Sequence, residues 1–313
     1  MTLTAFPDGV SSFGVPLPSG AALPMSTEYR WVSSVSGLNG NDGLTPETPW
    51  STLDYAVGKM TANINATVIA MPGHVETVTA AAGLALDVAG INLVGIGRGT
   101  LRPKINFTTA VSASVLLTAA NVYMENFLFT GGIDALTNPV HVQASDFWLH
   151  GCEWQDVTGQ ATDVVLTTAA ADRLKITDYT YSGAAAAGTN AGIAIVGGDG
   201  HIIDGVYADG NFAVGFLDIR TTATTNLQVR NWLARTRNAA DVLGVDTITG
   251  STGVIGPNLN FILNDNAANF ASAFSGATFY YHGPISIANL AGEIGAALYT
   301  GTTSGFKTVS TNA

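Results

Sequence analysis

The sequence predicts an all-β protein in which one chain winds as a single-stranded parallel β-helix, and three observations lead to this prediction. A unit of alternating apolar and polar residues recurs, each unit opens on a polar residue or glycine, and Asn, Gly or Asp stands five positions later. The units open at Asn121, Asp146, Arg173, Gly200, Asn226 and, more weakly, Ser251. These starts lie 25, 27, 27, 26 and 25 residues apart. A nearly fixed period of this length is typical of a solenoid, in which each coil packs on its neighbours.

The first strand of each unit is expected to bury its first and third residues, because side chains two apart in a strand share a face. The predicted buried pairs are Val122 and Met124, Phe147 and Leu149, Leu174 and Ile176, His201 and Ile203, and Leu227 and Val229. Position five holds residue types that tolerate left-handed backbone, as a sharp corner requires. These residues are Asn126, Gly151, Asp178, Gly205 and Asn231. Position six is large or apolar again, so a second strand follows the corner and a loop completes a coil of about 25–27 residues.

The amino-acid composition and net charge limit the kinds of partner that we expect for this chain. The chain has 313 residues, of which 11% are charged, and its net charge is −11. We expect no nucleic-acid partner, because phosphate backbones are bound by basic surfaces. The single cysteine, Cys152, excludes an internal disulfide framework, and its place at position six predicts a core residue. The five histidines lack metal-ligand spacing, so we expect no metal site and no cofactor.

Export and membrane signals are not recognised in the sequence. Its first residues lack the basic start, apolar core and cleavage site of a signal peptide, and no apolar run is long enough to span a bilayer. We therefore expect no membrane partner and assembly inside a cell.

Residues 1–27 are predicted to form an extended N-terminal docking arm. Prolines interrupt regular structure there, yet the segment is too apolar for a free tail. The candidate partner-binding residues are Phe6, Val10, Phe13, Val15, Leu17 and Leu23. The arm either folds on its own solenoid or docks on neighbouring subunits. We favour docking, because short apolar segments of this kind commonly form interfaces.

Residues 28–65 predict a strand, a loop rich in Gly and Asn, and a short capping helix with Ser51 as its N-cap. The apolar face of this helix is formed by Leu53, Ala56, Val57 and Met60. Such a helix closes one end of a solenoid, where unpaired strand groups would recruit other chains. The β-helix is predicted over 66–277. The period is lost from residue 278, so 278–313 either cap the far end or contact another chain.

The segment that follows the first predicted strand resembles a known family. The run NDGLTPETPWSTLDYAV, followed by ATVIAMPGHVET, is similar to the start of the pectin-lyase-like parallel β-helix superfamily as found in bacteriophage tailspikes and virion proteins. The residues that match its first motif are Asp42, Gly43, Thr45, Pro46, Thr48, Pro49, Trp50, Thr52, Leu53 and Ala56. The residues that match its first-coil motif are Val68, Pro72, Gly73 and Val75. The resemblance implies a right-handed β-helix, a homotrimer, and a phage or extracellular setting.

One outward column carries the most reactive groups of the repeat. Position four of successive units holds Glu125, His150, Thr177, Asp204 and Arg230. A polysaccharide lyase or glycoside hydrolase would place acids beside a base or a second carboxylate on such a face. A solvated face with surface ion pairs, such as Asp204 with Arg230, is the alternative that we favour. The sequence therefore predicts no catalytic residue.

Aromatic residues form a second candidate surface. Position eight of three successive units holds Phe129, Trp154 and Tyr181. A strip that stacks on a glycan fits this spacing, but a buried stack, inside the solenoid or against a neighbouring subunit, is the commoner arrangement. Trp148, Trp154 and Tyr181 are the candidates for contact with a glycan or a subunit.

These observations favour a non-enzymatic structural protein of a bacteriophage virion. Within that class we expect a capsid decoration or cement protein that binds the major capsid protein, or another virion protein, as a homotrimer. The alternatives are a tailspike-like depolymerase and an adhesin, both acting on a host surface glycan. Without a recognised signal peptide, the expected location is a virion that assembles in the host cytoplasm.

Overall fold

Strands dominate the chain from residue 28 onward. The computed structural model describes residues 11–12, 15–16, 26, 28–156, 161–183, 189–236, 243–263, 274, 278–283 and 285–288. The strands of the first half are β1 (Ser11–Ser12), β2 (Val15–Pro16), β3 (Tyr29–Val32), β4 (Ala66–Ala70), β5 (Val75–Val78), β6 (Leu84–Leu86), β7 (Ile91–Gly95), β8 (Lys104–Phe107), β9 (Val115–Leu117), β10 (Val122–Glu125), β11 (Leu128–Gly131), β12 (Val140–Val142) and β13 (Phe147–His150). Those of the second half are β14 (Glu153–Asp156), β15 (Asp163–Thr167), β16 (Lys175–Ser182), β17 (Ala191–Ile195), β18 (Ile202–Gly210), β19 (Gly215–Ile219), β20 (Leu227–Thr236), β21 (Leu243–Thr247), β22 (Thr252–Ile255), β23 (Leu259–Leu263), β24 (Thr278–Tyr281) and β25 (Ile285–Ala288). An α-helix, α1, spans Leu53–Val57, and a 3-10 helix spans Gly99–Leu101.

The strands from β3 onward stack in three parallel ladders, which confirms the predicted parallel β-helix. The first ladder runs in the order β3, β4, β7, β10, β13, β16, β18, β20, β22, β24. The second joins β5, β8, β11 and β14 to the later halves of β16, β18 and β20, and then continues through β23 and β25. The third runs in the order β6, β9, β12, β15, β17, β19, β21. The core lies between these ladders.

The register of the first ladder follows the sequence period. Met124 pairs with Leu149, which pairs with Ile176, and the column continues through Ile203 and Val229. The residues predicted to be buried at positions one and three are all in the core. They include His201, whose pKa is lowered by burial. Its Nδ1 accepts from the Leu174 amide at 3.1 Å and its Nε2 donates to the Gly197 carbonyl at 3.0 Å.

Corner residues adopt left-handed backbone, as predicted for position five. The φ angles are 61° at Asn126, 55° at Gly151, 53° at Asp178, 70° at Gly205 and 57° at Asn231. The opening residues of the units are left-handed as well, with φ of 60° at Asn121, 62° at Asp146, 54° at Arg173, 70° at Gly200 and 55° at Asn226. The sequence pattern showed that these opening positions are polar but did not predict this conformation. Two left-handed residues therefore frame the first strand of these coils.

Helix α1 covers the N-terminal end of the core, with all four predicted apolar residues buried. Its N-cap is Thr52, whose Oγ1 accepts from the Tyr55 amide at 3.3 Å, so the prediction of Ser51 was wrong. Ser51 instead donates through Oγ to Asn39 Oδ1 at 2.6 Å. The carboxylate of buried Glu76 accepts from the Leu53 amide at 2.7 Å, which satisfies a backbone donor at the helix start.

The parallel ladders extend beyond the predicted limits of the β-helix. β3 already pairs with β4, and β24 and β25 pair with β22 and β23 past residue 277. Backbone pairing continues where the side-chain repeat fades, because a ladder needs only N–H and C=O groups in register. Of the predicted arm residues, Phe6, Val10, Phe13, Leu17 and Leu23 lie outside the described residues. Val15 lies in β2, which pairs with β1 in an antiparallel hairpin.

Candidate functional site

Three side chains from successive coils meet on the outer face of the first ladder. Tyr123, Trp148 and Lys175 stand in register on β10, β13 and β16, and each is partly exposed. Strands pack about 4.8 Å apart, so the side chains of one outward column touch. The rings of Tyr123 and Trp148 are 4.9 Å apart at 64°, and Lys175 Nζ lies 3.7 Å from the centroid of Trp148. We call these three residues the aromatic–lysine column.

Thr177 lies in the neighbouring outward column and fixes the orientation of Trp148. The indole Nε1 of Trp148 donates to Thr177 Oγ1 at 2.8 Å, and Thr177 Oγ1 lies 2.7 Å from His150 Nδ1. The imidazole also lies 3.6 Å from Asp178 Oδ2 and stacks near the Tyr123 ring at 6.3 Å. The Trp148 indole and the His150 imidazole are therefore held by hydrogen bonds as well as by packing.

Tyr123 is a phenol held protonated. Burial, with the neighbouring Glu125 carboxylate, raises the pKa of Tyr123 far above its ordinary value of 10.0. A protonated phenol beside a carboxylate acts as a hydrogen-bond donor. The surface thus combines two aromatic rings, an ammonium group and a carboxylate within three coils. Ligand sites join flat apolar area to a few oriented polar groups in this way.

The remaining members of the predicted reactive column form an ion pair. Arg230 Nε donates to Asp204 Oδ2 at 2.8 Å, as predicted, and Asn231 Nδ2 donates to Asp204 Oδ1 at 2.6 Å. Glu125 and His150 are neighbours in register on β10 and β13. The column therefore divides into an ion pair at one end and the surroundings of the aromatic rings at the other.

Trp154 and Tyr181, two of the three candidate contact residues, lie inside the solenoid. Both are 0% exposed. Trp154 packs 5.8 Å from Phe107, and Tyr181 packs 5.2 Å from Phe212. Burial inside the solenoid, the arrangement favoured for position eight, leaves neither residue available to contact a glycan or a subunit. Position eight shares a face with buried position six, a period-two signal that was present in the sequence. Trp148 is the one of the three on the outer face.

A second cluster of charged groups, on the third ladder, was not predicted. Arg220 donates through Nη2 to Asp163 Oδ2 at 2.6 Å and through Nη1 to Asp218 Oδ2 at 3.2 Å. Asp246 stands beside Asp218 in register on β21. Burial raises the pKa of Asp218 to about 6; Arg220 opposes this shift, and the Asp246 and Asp163 carboxylates add to it. We call these four residues the aspartate–arginine cluster.

One sequence signal would have found this cluster. Each of its aspartates lies in a short apolar strand, as in DVVLT, GFLDI and LGVDT. A carboxylate in such a run is costly to bury unless it is paired, so it marks a place where charged groups converge. The spacing between these strands varies, and the period drawn from the first ladder did not align them.

Within the described ranges, no group of three or more His, Cys, Asp or Glu side chains is placed to hold a metal ion. In the same part of the chain, no helix has the length and apolar character needed to cross a membrane.

No family model matches the sequence, and no curated protein matches it. Among solved structures, a rhamnogalacturonan lyase is similar, with a TM-score of 0.45 and 12% sequence identity. The match covers 81% of this chain and 74% of the lyase chain. The chain is thus a parallel β-helix protein, a class defined here by its own strand pairing.

Proposed function

We propose that this chain is a non-enzymatic structural protein of a bacteriophage particle. More specifically, we propose a capsid decoration protein that binds the particle surface as a homotrimer. The observation that carries the proposal is the pairing of charged side chains from one coil to another. Examples are Arg173 with Asp146 at 2.6 Å, Arg230 with Asp204 at 2.8 Å and Arg102 with Glu153 at 2.8 Å.

Such pairing suits a rigid body better than a reactive surface. Each pair links residues of different coils, 26 to 51 positions apart in the sequence, so together they resist sliding and bending between coils. Individually such exposed pairs contribute little to stability. Because such pairs recur along a continuous parallel ladder, the charged groups bind one another. A protein that reinforces a particle needs this stiffness, together with a surface that binds its neighbours.

The phage particle and the trimer rest on the sequence resemblance of residues 42–75. The docking surface proposed is the apolar segment 1–25. Burial of its side chains against capsid subunits would stabilise the assembled state by mass action, because the protein binds that state and not the dissociated one. A stable interface of this kind buries on the order of 1,200–2,000 Å².

Removal of residues 1–25 tests this proposal. The shortened protein should keep the circular dichroism of the β-helix and lose its co-sedimentation with phage particles. A full-length variant with Thr2→Ser and Thr4→Ser serves as the control, since it keeps the apolar side chains, and it should bind normally. Undiminished binding of the shortened protein would contradict docking through this segment.

A second candidate function, binding of a host surface glycan, is favoured by the aromatic–lysine column. Tyr123 and Trp148 offer partly exposed ring area, and the ammonium of Lys175 lies beside it. Aromatic rings and adjacent hydrogen-bonding groups together provide area and orientation to a flat, polar ligand. This candidate is compatible with a structural role, because one body can bind the capsid at one place and a glycan at another.

Binding assays with host surface polysaccharide test the second candidate. Trp148→Ala should weaken binding at least tenfold, whereas Tyr207→Ala should leave it unchanged. Tyr207 is a suitable control because it is 50% exposed and lies on the outer face of the second ladder. Equal effects of both variants would contradict a site at Trp148. Release of sugars or the appearance of new reducing ends in the same assay would instead indicate a depolymerase.

A further inference from the structure

Two nearly buried carboxylates of the aspartate–arginine cluster share one guanidinium. Asp163 and Asp218 both bind the guanidinium of Arg220, and Asp246 adds a third carboxylate beside Asp218. The side chains of Asp163 and Asp218 are only 6% and 5% exposed. Asp163 Oδ1 is buried without a hydrogen-bond partner. A buried, unpaired carboxylate oxygen is costly, so the ionised cluster is not fully satisfied.

The charged groups that act on Asp218 lie on or next to three strands of the third ladder, β15, β19 and β21. Arg220 directly follows β19, the strand that carries Asp218. Strand β21 contributes Asp246, which is in register with Asp218, and strand β15 contributes Asp163. Strand β17, between β15 and β19, places the uncharged Ala194 beside Asp218. Among the residues that the structure describes, Arg220 is the one cation that acts on Asp218, and it binds Asp163 at the shorter distance, 2.6 Å against 3.2 Å.

We propose that this cluster is a proton-operated clasp between coils: Asp218 takes up a proton between neutral and mildly acidic pH, and the third ladder is tightened there. The protonated carboxyl no longer repels Asp246 and Asp163, and Arg220 stays paired with Asp163. Loss of the proton restores the repulsion of Asp218 by Asp246 and Asp163 and loosens the contacts among β15, β19 and β21. This inference goes beyond the proposed function and does not depend on it.

The direction of the pH effect follows from the pKa of Asp218. Burial raises that pKa to about 6 from an ordinary value of 3.8. Between these values the folded chain binds more protons at Asp218 than the unfolded chain does. The contribution of Asp218 to stability therefore falls as pH rises from about 4 to about 6 and is lowest at neutral pH. Acidification to about pH 5 should tighten the clasp.

Urea unfolding of the full chain at about pH 5 and about pH 7.5 tests the clasp. Asp218→Asn should raise the unfolding midpoint at the higher pH, because the neutral amide imitates the protonated state. It should also remove most of the pH-dependent shift seen in the unchanged protein. Asp178→Asn is the matched control, since Asp178 is 71% exposed and outside the cluster, and it should keep the full shift. An unaltered shift in Asp218→Asn would overturn the proposal.

A second measurement serves if Asp218→Asn does not fold. Carboxyl NMR of the unchanged protein should show one aspartate titrating near pH 6, as burial of Asp218 requires. Asp246→Asn should move this titration to lower pH, because it removes one neighbouring negative charge. Absence of any carboxyl titration above about pH 5, or no change in Asp246→Asn, would contradict the clasp.

Discussion

Arg173 binds Asp146 one coil earlier through two parallel hydrogen bonds, from Nε to Oδ1 at 2.6 Å and from Nη2 to Oδ2 at 2.8 Å. Both residues open a repeat unit, and both have left-handed backbone, with φ of 54° and 62°. The pairing holds the pKa of Asp146 below its ordinary value, through the hydrogen bond from Arg173. Side-chain pairing and an unusual backbone conformation thus occur together at one corner of the solenoid.

Backbone conformation should dominate the effect of changes at Asp146. Asn tolerates left-handed backbone, whereas a β-branched residue does not. We expect Asp146→Val to lower the free energy of unfolding by about 1–3 kcal/mol more than Asp146→Asn does. Urea unfolding of the two variants, which both lack the charged pair, measures this difference. Equal losses would show that the ion pair, rather than the backbone, sets the stability of this corner.

Truncation of the two tryptophans should separate core from surface. Trp154→Ala should cost about 3–5 kcal/mol, because it leaves a cavity beside Phe107 in the closely packed core. Trp148→Ala should cost about 1 kcal/mol or less, since Trp148 is partly exposed on the outer face. Equilibrium unfolding monitored by circular dichroism provides both values. Similar costs for the two variants would contradict the placement of Trp154 inside the solenoid.

Cys152 should report opening of the solenoid. Burial raises the pKa of its thiol to about 12, so hardly any thiolate exists in the folded protein at about pH 8. We expect a colorimetric thiol reagent to react slowly without denaturant and rapidly in concentrated urea. The reaction should follow the unfolding transition measured by circular dichroism. Fast labelling of the folded protein would place the thiol at the surface.

A methyl group at Gly192 should collide with an aromatic ring in the core. A Cβ atom at this position would lie 2.3 Å from the Phe216 ring, whereas one at Gly40 would meet nothing within 4 Å. Gly192→Ala should therefore destabilise the protein by about 1–3 kcal/mol through overpacking. Gly40→Ala is the control and should change stability by less than about 0.5 kcal/mol. Combination with Phe216→Leu should recover part of the loss, and no recovery would argue against this contact.

Much of the first ladder could be predicted, because both its period and its corners follow from the types of residue at fixed positions of the repeat. Asn, Gly and Asp at position five indicate left-handed backbone, and alternation from Val122 onward indicates the buried face. The opening residues were harder, because a polar residue such as Arg173 fits any exposed position. Left-handed backbone is unusual for arginine, so its propensity gave no signal.

The candidate sites were only partly predictable, for a related reason. The partly exposed position of Trp148 and the pairing of Asp204 with Arg230 follow from strand alternation and register. The aspartate–arginine cluster depends on the third ladder, where unequal loops separate Asp163 from Asp218 in the sequence. An aspartate in a short apolar strand marks each of these residues in the sequence, but only the three-dimensional stacking of the coils brings them together.

Cryo-electron microscopy of bacteriophage particles purified from cells that produce this chain tests the proposed function most directly. The proposal predicts β-helix density on the capsid surface, three copies around one axis, and residues 1–25 in contact with capsid subunits. Particles purified from cells that produce the chain, but without its density on the capsid, would contradict the proposal. Density found only at the tail would contradict the decoration role as well.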